Sequence, residues 1–245
     1  MADRILACGF FVILDIRHDT GAGGWLRADA ELSEDTEYLY RCLVLQIAEY
    51  FKSYDSRLIL EGPNEVLNQQ IGKGAYEGTV TAKEYETYNR LMQIFVDEVR
   101  RTGQSNADRY LLINPYAAMA INLQHFRLPA DPARDRLLVG IHDYSCLEDG
   151  RLRSLLYLSK TRQELPGAYP IVLSEFGILQ KTELSERVNF MEKNTRLCRE
   201  LGIPMMLWDD GGNYTVMRAD GTGWDTDSGS DRVMDAFLSA LLPAS

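Results

Sequence analysis

"RLILEGPNEV", residues 57–66, sets the aliphatic run Leu58-Ile59-Leu60 ahead of an amide and a carboxylate, Asn64 and Glu65. A short, nearly continuous apolar run of this kind fits a parallel strand covered on both faces. The pattern recurs in "FFVILDI" (10–16), "RYLLIN" (109–114), "RLLVGIH" (136–142), "YPIVLSEF" (169–176) and "IPMMLWD" (203–209), giving six predicted strands with the first stretch included.

Amphipathic segments separate these runs. A helix is expected from after Ser33 to about Phe51, burying Tyr40, Leu43, Ile47 and Tyr50 or Phe51. The next starts more sharply, because Thr81 and Glu84 have capping-box spacing and Tyr85, Tyr88, Met92, Phe95 and Val99 follow as an apolar stripe, with Gly103 just beyond. Further helices are expected over 150–164, 184–200 and 231–242, and residues 115–135 read as a long loop with a short helix. Strand and crossover repeated this often imply a βα architecture, either a closed barrel or an open sheet. The glycines of "TGAGG" (20–24) lack dinucleotide-fingerprint spacing and read as a turn. The Gly- and Asp-rich segment 209–231 reads as a long loop of the functional face, so one domain is expected over 1–245.

A formal charge of −10 disfavours nucleic acid and anionic lipid as partners and suits a neutral ligand such as a sugar. No apolar stretch approaches the length of a membrane span, and the opening "MADRILACGFFVILDI" does not read as a secretory signal. Cys8, Cys42, Cys146 and Cys198 are scattered, with no metal-cluster spacing, and are expected as buried free thiols.

Chemistry is expected where the strands run out. His18, Asn64-Glu65, His142 with Tyr144, Glu175 and Trp208 each follow an apolar run, and in a βα barrel such strand ends converge on one face. Glu65 and Glu175 suit glycoside hydrolysis: one carboxyl donates a proton to the leaving oxygen while the other, ionised, attacks or activates water. Either glutamate alone would more simply be a solvent-facing or ion-paired side chain. Asn64 can bond a sugar hydroxyl, Tyr144 can donate to Glu175, His142 and His18 can bind hydroxyls, and Trp208 can floor a pyranose ring. Trp25, Trp224 and Tyr214 are weaker candidates for the same cleft. A metal hydrolase built on His18 and His142 lacks a close ligand motif, so neither a metal nor a cofactor is expected.

At these residues the chain resembles glycoside hydrolase family 5, the cellulase family. "GFFVILDIRHD" is similar to its third-strand segment, "LILEGPNEV" to the fourth-strand Asn-Glu, "IHDY" to the sixth-strand His-x-Tyr, "VLSEFG" to the seventh-strand nucleophile and "LWDDGG" to the eighth-strand Trp. The resemblance implies a (β/α)8 TIM-barrel fold, Glu65 as acid/base, Glu175 as nucleophile, and retaining endo-hydrolysis of a β-1,4-glucan. It also implies substrate-binding or orienting roles for His18, Asn64, His142, Tyr144 and Trp208, and a secreted protein. A β-mannanase or another β-glycanase is the family's alternative.

Two departures shape the expectation. Arg17-His18-Asp19 stands where the family carries His-His-acid, and Val66 stands where it carries Pro after the Asn-Glu pair. The family's first two β/α units, with the arginine of its second strand, have no counterpart here, so an incomplete barrel of six strands is expected. Arg17 is the candidate to replace part of that arginine's field. Open barrel edges invite self-association or a complementing chain. A catalytically silent carbohydrate-binding or assembly module is the reading from another class.

Overall fold

The computed structural model describes residues 1–17, 24–68, 80–161, 165, 169–218 and 220–241. All six expected strands form: β1 (Val12–Ile16), β2 (Leu58–Pro63), β3 (Leu111–Ile113), β4 (Leu137–Asp143), β5 (Ile171–Phe176) and β6 (Met205–Leu207), hydrogen-bonded in chain order. The pairings β1–β2, β2–β3, β3–β4 and β5–β6 are parallel. The chain divides into two compact units, Met1–Gly140 with Pro166–Pro170, and Ile141–Leu165 with Ile171–Ser245.

In the first unit, α1 (Ala2–Ala7) precedes β1, a short helix that the sequence reading did not anticipate. Helix α2 (Glu34–Phe51) starts on Ser33, whose side chain accepts from the Thr36 amide, and α3 (Ala82–Arg101) starts on the full capping box of Thr81 and Glu84. Tyr88, Met92, Phe95 and Val99 are buried as the spacing predicted. On α2 Tyr40 is buried as expected, but the line runs on through Val44 and Ala48, while Tyr50 is 70% exposed. Those three lie at four-residue intervals, and Ala48 lets the helix approach closely; the bulkier Leu43 and Ile47 flank the contact half-buried. Residues 115–135 hold two short 3-10 helices, Tyr116–Ala118 and Ala120–Gln124.

Every residue of β2 is buried, whereas β1 is half-buried beyond Val12. Burying a side chain such as Leu58 or Leu60 completely contributes about 1.5–3 kcal/mol. Arg109 fixes where β2 begins. Its guanidinium, 1% exposed, donates to the carbonyls of Phe51, Tyr54 and Leu58, tying the end of α2 to the first turn of the strand. "RYLLIN" thus contributes a strand only at 111–113, with its first residue used as a structural anchor.

In the second unit, the end of β4 leads to α4 (Arg153–Thr161), then β5, α5 (Leu184–Leu201), β6 and α6 (Ser230–Leu241). Helix α4 begins later than expected because the fully buried Asn194 accepts from Leu152 N and donates to Gly150 O, holding 150–152 as a turn. Positions 162–164 of the expected helix lie outside the described residues. Gly202 closes α5 in the left-handed conformation, φ 63°. Phe176 packs against Phe190 of α5 and Phe237 of α6. All four cysteines are free, yet only Cys198 is buried and Cys8 and Cys146 are exposed, contrary to the expectation of buried thiols. No described helix is long and apolar enough to cross a membrane.

Candidate active site

Within the first unit, the site is built on the end of β2. The Asn64 amide donates to Ile16 O at 2.9 Å, extending the β1–β2 ladder one step past the strand. Asn64 and Glu65, both half-buried, follow six buried residues, so the chain comes partly out of the core within two positions. Val66 and Leu67 are buried again and pin the loop from behind, and Leu67 O accepts from Ala28 N at 2.9 Å. Val66 therefore restrains by packing at the point where the resemblance led us to expect a proline.

Arg17 has a defined place. Its Nη2 donates to Asn64 Oδ1 at 3.0 Å and its Nε to Asp15 Oδ2 at 2.7 Å. With Oδ1 engaged, the amide orientation of Asn64 is fixed and its N–H2 group is the one it can present to a sugar oxygen. His18 lies outside the described residues. Trp25 is half-buried in a segment held by the buried neighbours Leu26 and Ala28.

Sequence reading missed two contributors here. Asn114, fully buried at the end of β3, donates from Nδ2 to Glu61 Oε1 at 2.9 Å and to the Asn64 carbonyl at 3.2 Å. Its signal was the same as for the other candidates, a polar residue ending an apolar run, but it was absorbed into the strand. Glu61, 6% exposed, sits inside the "LILEG" run itself. Nearby, burial pushes the Tyr116 phenol up to about 12, against the opposing effect of the Asn68 amide that donates to its oxygen.

Within the second unit, His142, Tyr144 and Glu175 come together. The Tyr144 hydroxyl donates to Glu175 Oε2 at 2.6 Å, and His142 Nδ1 lies 3.6 Å from the same oxygen. Both His142 and Glu175 are nearly removed from solvent, at 6% and 7% exposure. Strand β4 supplies the first because "LLVGI" buries its residues up to the histidine except for the half-buried Leu138, and the fully buried β5 supplies the glutamate. Asp143 was not singled out from the sequence; it accepts from the amides of Ser145 and Ser154, fixing the loop that carries Tyr144.

Trp208 follows β6, half-buried, with its amide donating to Phe176 O at 2.9 Å. Gly177 marks where the aromatic residues meet: a Cβ there would lie 3.0 Å from the Tyr214 ring, 3.6 Å from the Tyr144 ring and 3.7 Å from the Trp208 Cβ. The Tyr144 and Tyr214 rings are 5.0 Å apart. Tyr214, the weaker candidate, thus belongs with the tyrosine on Glu175. Trp224 pairs its backbone with Met217 and is 37% exposed. Asp209 organises this loop by accepting from Gly211 N, Thr215 Oγ1, Val216 N and Met217 N. Burial raises its carboxyl, but those amide and hydroxyl donors outweigh it and hold the group below the ordinary carboxylate range.

No family model matches the chain. It is similar to Endoglucanase 1 of Ruminococcus albus, 31% identical over 241 residues covering 86% of this chain and 55% of that protein. Endoglucanase B of the same organism is 31% identical over 218 residues, covering 82% of this chain and 51% of its own. The chain thus spans about half the length of the curated relatives it matches. Among solved structures, the glycoside hydrolase family 5 enzyme PbGH5A from Prevotella bryantii B14 superposes with a TM-score of 0.83 at 24% identity, over 98% of this chain and 74% of that one. A mutant of that enzyme was solved with a xyloglucan tetradecasaccharide. The GH5-4 broad specificity endoglucanase from Ruminococcus champanellensis, solved with bound cellotriose, gives a TM-score of 0.81 at 24% identity, over 97% of this chain and 72% of that one. Six parallel strands with their helices make this chain an incomplete (β/α)8-type barrel with the fold of glycoside hydrolase family 5.

Proposed function

We propose that this chain is a retaining, endo-acting glycoside hydrolase that cleaves β-1,4-glucan by double displacement. The observation that carries the reading is the Glu175 carboxylate, buried at the end of β5, bonded by the Tyr144 hydroxyl and flanked by His142. The similarity to endoglucanases supports the same reading. Glu175 attacks the anomeric carbon as the glycosidic C–O bond breaks, and Glu65 gives its proton to the departing oxygen. The glycosyl ester on Glu175 is then cleaved by a water whose proton returns to Glu65, and the product keeps its β configuration. Tyr144 holds the nucleophile's oxygen in line, which orients it without consuming its charge. His142 and Asn64 bind sugar hydroxyls, with the Asn64 amide set by Arg17, and Trp208 with Tyr214 offers an aromatic floor for a ring. A β-linked glucan is the favoured substrate because the relatives solved with ligands hold xyloglucan and cellotriose. β-Mannan and other β-glycans are the alternatives within the same chemistry.

Reducing-end release from carboxymethyl-cellulose, xyloglucan, glucomannan, mannan and xylan tests the proposal. The parent chain is expected to act on the glucans, and Glu65→Gln and Glu175→Gln each to abolish release. The first-formed sugar is expected to be the β anomer by NMR, and an α product would remove the retaining assignment.

A second reading is favoured by the half-buried β1 strand, which pairs only with β2 among the described residues and is preceded by Phe10 and Phe11 at 64% and 65% exposure. Such an edge can take up a second copy or a complementing chain, and the unassisted chain would then bind glycans without cleaving them. Binding of cellotetraose with no product from the parent chain would establish that reading. Light scattering at several concentrations would reveal self-association.

A further inference from the structure

We infer that Asn114 is a positioning residue for the acid/base, acting with the buried Glu61 through the peptide that carries Glu65; this rests on the role proposed for Glu65 above. One carboxamide nitrogen makes both contacts, donating to Glu61 Oε1 at 2.9 Å and to the Asn64 carbonyl at 3.2 Å. That carbonyl belongs to the peptide bond joining Asn64 to Glu65. Glu61 lies on the same segment, four residues earlier, so the amide bridges two points of one stretch of chain. It opposes rotation of the 64–65 peptide about the strand axis.

The arrangement is buried throughout, Asn114 being 0% and Glu61 6% exposed. Glu61 Oε1 and the Asn64 carbonyl both accept from the one nitrogen, so Asn114 is attached at two points of the segment. From the β1 side Asn64 itself is held, by its backbone N–H on Ile16 O and by Arg17 on its side chain. The acid/base therefore projects from a peptide restrained by two neighbouring strands. Asn114 touches neither sugar nor reacting atoms. Its effect is on the direction in which the Glu65 carboxyl delivers its proton, where a displacement of about 1 Å costs on the order of a hundredfold in rate.

Leaving-group dependence isolates that effect. Cellotetraose needs its leaving oxygen protonated, whereas the dinitrophenolate of 2,4-dinitrophenyl β-cellobioside departs without a proton. For Asn114→Ala, kcat on cellotetraose is expected to fall by about 30- to 100-fold, and glycosylation by the aryl glycoside by less than about threefold. Glu65→Ala supplies the reference for the same split. Equal losses on the two substrates would mean a general structural role and overturn the inference. Amide hydrogen exchange gives a readout independent of catalysis: the Asn64 amide is expected to exchange at least about tenfold faster in Asn114→Ala while the central amides of β2 do not change. An unchanged Asn64 amide would overturn it equally. Glu61→Leu, which removes the acceptor, is expected to repeat both effects, and Glu61→Gln, which keeps Oε1, to show smaller ones; a Glu61→Leu protein identical to the parent would sink the bridge. A parent chain inactive on both substrates would end the hydrolase reading, and the exchange measurement alone would then decide this inference.

Discussion

The Tyr144 hydroxyl donates to Glu175 Oε2 at 2.6 Å, joining the residue after β4 to the carboxylate at the end of β5. A short bond to one of its two oxygens restrains the carboxyl's rotation as well as its position. Tyr144→Phe keeps the ring that packs on Tyr214 and deletes only the donor. We expect kcat to fall by about 10- to 100-fold with KM changed far less, the sign of an orienting contact used in the transition state. Steady-state kinetics on a soluble glucan would measure it, and a loss confined to KM would contradict it.

Arg17 fixes Asn64 from the opposite direction to Asn114. Arg17→Ala frees the Asn64 carboxamide to turn, so the group facing substrate becomes a mixture of donor and acceptor. A rise in KM together with a fall in kcat of about tenfold is expected, since a hydrogen bond to a charged group contributes about 1.5–3 kcal/mol. An unchanged protein would show that Arg17 serves Asp15 alone.

Asp209 ties the loop after Trp208 through three amides and a hydroxyl. Because its folded carboxyl lies below the ordinary range, its contribution is present above the unfolded value of about 4 and is lost as pH falls through the lower, folded one. Loop 209–218 is therefore expected to stay protease-resistant at pH 5 to 7 and to open at strongly acid pH. Asp209→Asn should be cleaved there even at neutral pH. Limited proteolysis with mass mapping would check both, and equal resistance of the two proteins at pH 7 would refute the assignment.

Arg109 satisfies carbonyls that no shorter side chain can reach together. Arg109→Lys leaves some of the Phe51, Tyr54 and Leu58 carbonyls buried without a donor, at about 1–3 kcal/mol each. A total loss of about 2–4 kcal/mol is expected in urea unfolding. An unfolding midpoint equal to the parent's would show that water replaces the guanidinium freely.

All six strands and the main helices were legible in the residues because burial on both faces demands near-continuous apolar runs, and because Thr81 with Glu84 signals a helix start locally. His142, Tyr144 and Glu175 were legible as a group for a related reason: a polar side chain breaks the apolar run where the strand ends. The buried face of α2 was legible only at Tyr40, since Val44 and Ala48 win over Leu43 and Ile47 only once a neighbouring surface favours close approach. Asn114 and Arg109 were likewise read as parts of a strand.

Sequence by itself determined the order of strands and helices and the chemical kinds of residue at each strand end, because those depend on composition within a few positions. Only the tertiary structure decided which of those polar groups grip each other. Glu61 is an anchor because Asn114, fifty-three residues later, reaches it, and Glu175 is oriented because Tyr144 arrives from the neighbouring strand. Hydrogen bonds act within about 3 Å, and which distant residues come that close is a property of the packed sheet, with no local pattern to announce it.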